Sequence, residues 1–282
     1  MFRASMTNYW LTAGVMALGL FLSTSRQVAA DPLKDAGDAF SRGDYTTVLN
    51  IIRPLAEGGN APAEYHLGLM YEKGYGVVQD YSEAVRWYRK AADQGDANGE
   101  ANLATMYFDG LGVSQDYAEA IRLRRLAASQ GHVRAQIALA SSYERGLGVP
   151  KDLAEAAIWY RKAAEQGDAL AQSHLALFYA TGKGVPEDPT QAASWYRRSA
   201  EQGYVSAQYF LGSMYESGTG LAQDLVQAYK WLSLAASHET AGKTLLEATT
   251  KRDELAASMT ARQLADGQRL VREWLPNKEI IK

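Results

Sequence analysis

Apolar side chains return along this chain at the spacing of one helix face, with polar positions between them. Ala63, Leu67, Met70 and Tyr71 lie at such intervals and predict one helix. Trp87, Tyr88, Ala91 and Ala92 follow Asp80 and predict a second. Asp80 stands three residues before Glu83, a capping-box pattern that starts the second helix there. Between the helices lie Gly74 and Gly76, which let the chain reverse without strain. Gly95 is placed to end the second helix in a left-handed conformation. The predicted unit is therefore helix, glycine loop, helix.

The pattern recurs every 36 residues. Leu67, Tyr71, Gly74, Gly76 and Asp80 become Leu103, Tyr107, Gly110, Gly112 and Asp116, and then Leu139, Tyr143, Gly146, Gly148 and Asp152. Tyr179, Gly182, Gly184 and Asp188 continue it, followed by Tyr215, Gly218, Gly220 and Asp224. Five units run without a gap over 61–96, 97–132, 133–168, 169–204 and 205–240. Trp159 and Trp195 hold the place of Trp87, which marks them as core rather than as a stacking platform. Leu123 and Arg124 replace the Trp-Tyr pair in the second unit, and Glu239 replaces the closing glycine in the fifth. One hairpin cannot bury its apolar face alone, so stacked neighbours must share a continuous core.

This motif, Leu67 to Gly95 above all, resembles the Sel-one-like repeat, a relative of the tetratricopeptide repeat. The resemblance implies an all-α fold, an α/α right-handed superhelical solenoid of helix-loop-helix repeats. The register also runs backwards, since Asp44, Tyr45 and Gly59 align with Asp80, Tyr81 and Gly95. Residues 31–60 form a first repeat with a shorter, tetratricopeptide-like loop, its opening helix capped by Asp31 and Pro32. After 240 the pattern dissolves into a polar helix near 241–257. A last helix starts at a Thr260…Gln263 capping box, runs through Leu264, Val271 and Trp274, and stops at Pro276. Residues 241–282 are thus a C-terminal helical cap, which open arrays require.

Composition narrows the function. Residues 1–30 read as a signal peptide: Arg3 supplies the positive charge, Leu11 to Leu22 the apolar stretch, and Val28-Ala29-Ala30 the cleavage site. The alternative is a retained anchor; cleavage predicts a soluble, exported mature chain, periplasmic in a Gram-negative cell. The formal charge is −3 and basic residues are spread out, which provides no footprint for nucleic acid. There is no cysteine, so disulfides, thiolate metal sites and a cysteine nucleophile are excluded. His66 and His174 sit three repeats apart, too far to share a metal. No G-x-S-x-G elbow, S-x-x-K or H-E-x-x-H occurs, and Ser129 has only half of the first. The chain is read as a non-enzyme with no cofactor. Arg89, Arg125, Arg161 and Arg197 form a regular row, and acidic residues four positions on make helix ion pairs its simplest account.

Function should lie in positions that vary while the scaffold stays fixed. On the first helices one side carries His66, Leu69 and Lys73, then Asn102, Thr105 and Asp109. The next units place Ser141 and Arg145, then His174 and Leu177, then Phe210 on that side. In tetratricopeptide-like arrays first helices line the concave groove, so the resemblance implies a surface for a protein or peptide. It also points to partners such as a sensor kinase domain or an envelope assembly factor. Two other classes stay open: a secreted effector that binds a host protein, and an envelope enzyme acting on peptidoglycan.

Overall fold

The structure is a computed structural model that describes residues 31–237 and 243–279. Residues 1–30, read above as a signal peptide, and Glu239 lie outside the described residues. Among those described there are fourteen helices and no strand. They divide into two compact units, the first ending at His132 and the second beginning at Val133. The first unit holds α1 (Pro32–Ser41), α2 (Tyr45–Glu57), α3 (Ala61–Lys73), α4 (Tyr81–Asp93), α5 (Ala97–Asp109) and α6 (Tyr117–Ser129). The second holds α7 (Val133–Arg145), α8 (Leu153–Glu165), α9 (Ala169–Thr181), α10 (Pro189–Glu201), α11 (Val205–Ser217) and α12 (Leu225–Ala236). It ends with α13 (Lys243–Ser258) and α14 (Ala261–Glu279), both packed on α12. From α1 to α6 and from α7 to α13 every helix packs on the next, as expected for stacked hairpins.

The repeated aspartates start the second helices, but by a different arrangement from a capping box. Asp80 Oδ1 accepts the N–H groups of Ser82 and Glu83 at 2.9 and 3.0 Å, satisfying two orphan donors of the first turn. The reciprocal bond from Glu83 to the Asp80 N–H does not form. That N–H donates to the Tyr71 carbonyl instead, and Asp116, Asp152, Asp188 and Asp224 bond Tyr107, Tyr143, Tyr179 and Tyr215 in the same way. Each such bond ties the start of a second helix to the end of the first, and closes the loop between them. Glu83, released from capping, accepts from Arg86 at 2.7 Å. Asp80→Ala should therefore cost about 1 kcal/mol in urea unfolding, with Glu83→Gln within about 0.5 kcal/mol of the parent. At Thr260 the full box does form, with Gln263 Oε1 accepting the Thr260 N–H at 2.9 Å. The last helix continues past Pro276 to Glu279. A proline near a helix end costs only one backbone bond in a turn that is already incomplete.

The arginine row also does something other than expected. Arg89, Arg161 and Arg197 donate to the hydroxyls of Tyr107, Tyr179 and Tyr215 at 2.8, 2.6 and 2.7 Å. Each bond joins one hairpin to the next, so these arginines report stacking rather than pairing with an acid on their own helix. A second row runs parallel: Gln94 donates to Glu64 at 2.6 Å, Gln130 to Glu100 at 2.8 Å, and Gln202 to Gln172 at 2.8 Å. Those acceptors are buried, which is tolerable because each is hydrogen-bonded.

The cores contain the expected small and aromatic residues. Ala84, Ala120, Ala156, Ala192 and Ala228 are fully buried, where a larger side chain would force the helices apart. Trp87, Trp195 and Trp231 are buried as well. Trp159 is not: it is half-buried at the margin of its cluster, with the Lys162 ammonium 4.1 Å from its ring. The fixed repeat position thus places the indole against the core edge without enclosing it. In the second unit the cap closes on Trp231 through Trp274, edge to face at 6.3 Å.

Candidate functional site

The variable positions of the first helices differ sharply in what the fold leaves accessible. In the first unit His66 and Leu69 are each only 8% exposed. Tyr65 lies 4.9 Å from the His66 ring and 6.0 Å from Tyr88, covering the face where Ala101 stands one repeat later. These two residues are core, and they are withdrawn as points of contact for a partner. Burial pushes the His66 pKa down to about 3, so the ring is neutral at physiological pH. A histidine held below its unfolded value contributes stability above about pH 6.5 and loses it as pH falls toward 3. His66→Asn should flatten stability against pH in that window relative to the parent, by up to about 1.4 kcal/mol per pH unit in paired unfolding curves.

The other members of the set remain within reach of solvent. Lys73, Thr105 and Asp109 are exposed, and Lys73 pairs with Glu72. Asn102 donates to the Tyr88 hydroxyl at 3.1 Å, which donates in turn to Glu72 Oε2 at 2.6 Å. This chain crosses three helices and fixes the first unit's face. In the next repeat the tyrosine is replaced by Arg124, buried with its guanidinium 4.0 Å from the Phe108 ring. In the second unit Phe210 stays exposed and stacks on Tyr196 at 5.2 Å, while Leu177 is half-buried.

Ser141, Arg145 and His174 come together. They border one cleft of about 640 Å³ formed by α7, α8, α9 and their loops. Tyr160 and Glu144 share it, the phenol donating to Glu144 Oε2 at 2.9 Å. His174 stacks on Tyr160 at 4.7 Å with the rings within 7° of parallel. Burial lowers the His174 pKa, partly opposed by Glu144 and Asp168, so this ring is neutral too. Burial and then the Glu144 bond raise the Tyr160 pKa. A neutral imidazole over an un-ionised phenol is a flat aromatic floor with one fixed carboxylate, suited to contact rather than to proton transfer at neutral pH. Lys151 and Lys183 also border the cleft and were not in the sequence-derived set. Both are loop residues, outside the helix face from which that set came. Their signal was a break in the repeat: Gln79, Gln115 and Gln223 stand at the place of Lys151, and Tyr75, Leu111 and Leu147 at that of Lys183. Among the described residues no three His, Asp or Glu side chains gather as a metal set, and no helix is long and apolar enough to cross a membrane.

Comparison with known proteins matches this organisation. The Sel1 repeat model matches residues 61–96, 97–132, 133–168, 169–204 and 205–239. A Sel1 repeat protein from Oxalobacter formigenes is 31% identical over 88% of this chain and 96% of its own, with a TM-score of 0.70. The protein c5321, a protective antigen present in uropathogenic Escherichia coli strains and displaying an SLR fold, is 34% identical over 85% of this chain, with a TM-score of 0.70. The chain spans 55% of that protein's length. No functionally curated protein matches. Sel1 repeats generally mediate protein–protein interaction and are typically non-catalytic scaffolds. Five repeats in unbroken register, over most of its length, make this chain a member of the Sel1 repeat family.

Proposed function

We propose that this chain is an exported scaffold that binds an envelope protein through the variable side of its first helices, with a sensor kinase domain or an assembly factor as the class of partner. One observation carries the reading: the scaffold bonds repeat unit after unit, whereas the accessible positions on α5, α7, α9 and α11 change identity each time. A fold that needs only stability has no use for a cation at Arg145 or an exposed aromatic at Phe210 on that side. Phe210 stacks on Tyr196 and meets Tyr209 edge to face at 5.3 Å, yet it stays exposed, and a large exposed aromatic is a common interface anchor.

Tagged mature protein should capture a specific partner from envelope extracts, and Phe210→Ser with Thr105→Lys should weaken capture while cooperative melting and the helical far-UV spectrum are retained. Capture of nothing specific, or capture indifferent to both changes, overturns the reading. Export is tested separately by fractionation and N-terminal sequencing, with a mature start at Asp31 expected. A second reading, release from the cell to engage a host protein, draws on the E. coli relative being a protective antigen. Recovery from culture supernatant rather than periplasm decides for it.

A further inference from the structure

The cleft on α7, α8 and α9 exists because the repeat has been altered at two loop positions. The residue between the two loop glycines is Tyr75 in the first Sel1 unit and Leu111 in the second. Tyr75 stacks on Tyr45 at 4.8 Å, and Leu111 packs in the same cluster as Tyr81. In both cases an apolar side chain closes the gap between the loop and the start of the preceding second helix. In the fourth unit that residue is Lys183, which is exposed, and Leu153 stands where Tyr45 and Tyr81 stood. An ammonium cannot plug an apolar gap without losing its hydration, so the gap stays open.

The second change adds charge beside the first. Gln79, Gln115 and Gln223 each donate to a carbonyl at the end of the first helix, all at 2.8 Å, and so pin the loop. Lys151 takes that place and makes no such bond among the described residues. Arg145 is adjacent, where the other units have Lys73, Asp109, Thr181 and Ser217. Among the described residues none of Arg145, Lys151 and Lys183 is in an ion pair. Among the described residues that line the cleft Glu144 is the one carboxylate, held by the Tyr160 hydroxyl, while Asp168 lies outside the lining but within electrostatic reach of His174. Three cations therefore face one anion across a mixed surface. His174 Nδ1 adds a buried nitrogen with no hydrogen bond among the described residues.

We infer that this cleft is a binding site for an acidic peptide segment of the partner, one that carries carboxylates beside an apolar side chain. The excess of two positive charges calls for carboxylates, and Arg145 can take one in a bidentate fork. The walls, Ile137, Leu153 and Leu170, call for an apolar group that an inorganic anion lacks. The inference rests on the proposed scaffold function and names the partner's chemistry at one place on it.

The test uses the full mature chain and a fluorescein-labelled, C-terminally amidated Glu-Leu-Glu-Leu peptide in fluorescence anisotropy. Its Gln-Leu-Gln-Leu counterpart and inorganic phosphate serve as comparisons. The acidic peptide should bind, the Gln peptide should not, and equimolar phosphate should not displace it. Lys151→Gln with Lys183→Leu should weaken binding about tenfold. Both changes restore residues that other units already carry, so melting should be unchanged or higher. Absence of acidic-peptide binding, equal binding of the Gln peptide, displacement by equimolar phosphate, or an unaffected double variant each overturns the site. Partner capture that persists in the double variant removes this cleft alone, whereas no capture by the parent removes the scaffold reading itself.

Discussion

Gly112→Ala is expected to destabilise the first unit by about 2–5 kcal/mol, while Gly131→Ala costs only about 1–2 kcal/mol. Both glycines have left-handed dihedrals, with φ of +68° and +89°. Alanine at either position incurs the strain of that conformation. The two differ in what a methyl group would meet. At Gly131 it would find nothing within 4 Å, whereas at Gly112 it would sit 2.3 Å from the backbone carbonyl of Tyr81. That neighbour is main chain at the start of α4 and cannot swing aside. Either the loop or the stacking of one hairpin on the next must shift. Urea unfolding of both variants, followed by far-UV circular dichroism, checks the ranking. Equal costs would mean that the loop relaxes freely and does not hold the stacking distance.

The same contrast explains what could be read from residues alone. The loop glycines Gly110 and Gly112 both recur in every Sel1 unit, and only geometry shows that a methyl at Gly110 would meet its own loop at Gln115 whereas one at Gly112 would meet the neighbouring helix at Tyr81. The helices, their starts and their ends were legible because each is set by local chemistry repeated in register. Asp80 and its equivalents needed no tertiary knowledge to be placed as caps. The bond from the Asp80 N–H to the Tyr71 carbonyl was not legible, because it spans a loop whose closure no local rule specifies. Likewise Arg89 has both Asp93 and Tyr107 available, and the stacking of the next hairpin brings the tyrosine hydroxyl within reach.

The candidate site was less legible than the scaffold, for a physical reason. Positions 66 and 174 are equivalent in the repeat, yet burial depends on their neighbours. Tyr65 covers His66, whereas Ser173 at the same place is too small to cover His174. Exposure on a helix face is thus decided by residues that do not repeat. Variation between units is also not confined to helices, since Lys151 and Lys183 lie in the loops. Breaks in the repeat identify such residues only once the structure shows what the usual residue does there. Gln79 is a loop pin and Tyr75 is a plug; Lys151 and Lys183 abandon both tasks in the same cleft.

Truncating the repeat's tryptophan should have position-dependent effects. Trp87→Ala is expected to cost about 3–5 kcal/mol, because an indole that is only 4% exposed leaves a cavity which its packed neighbours cannot fill. Trp159→Ala should cost about 1–2 kcal/mol, since one side of that ring already meets solvent and Lys162. Sequence position alone assigns both residues the same cost. Two further variants separate cavity from polarity. Trp87 Nε1 is buried without a hydrogen-bond partner among the described residues, so Trp87→Phe removes an unsatisfied donor while keeping much of the ring volume. It should cost distinctly less than Trp87→Ala. Lys162→Met should change stability by no more than about 1 kcal/mol, the range of an exposed cation–π contact. Unfolding midpoints of the four variants, measured in urea at one pH, give the ordering. A Trp159→Ala cost as large as that at Trp87 would mean that the indole is enclosed by the second unit's core, and that its open edge is not part of the accessible surface.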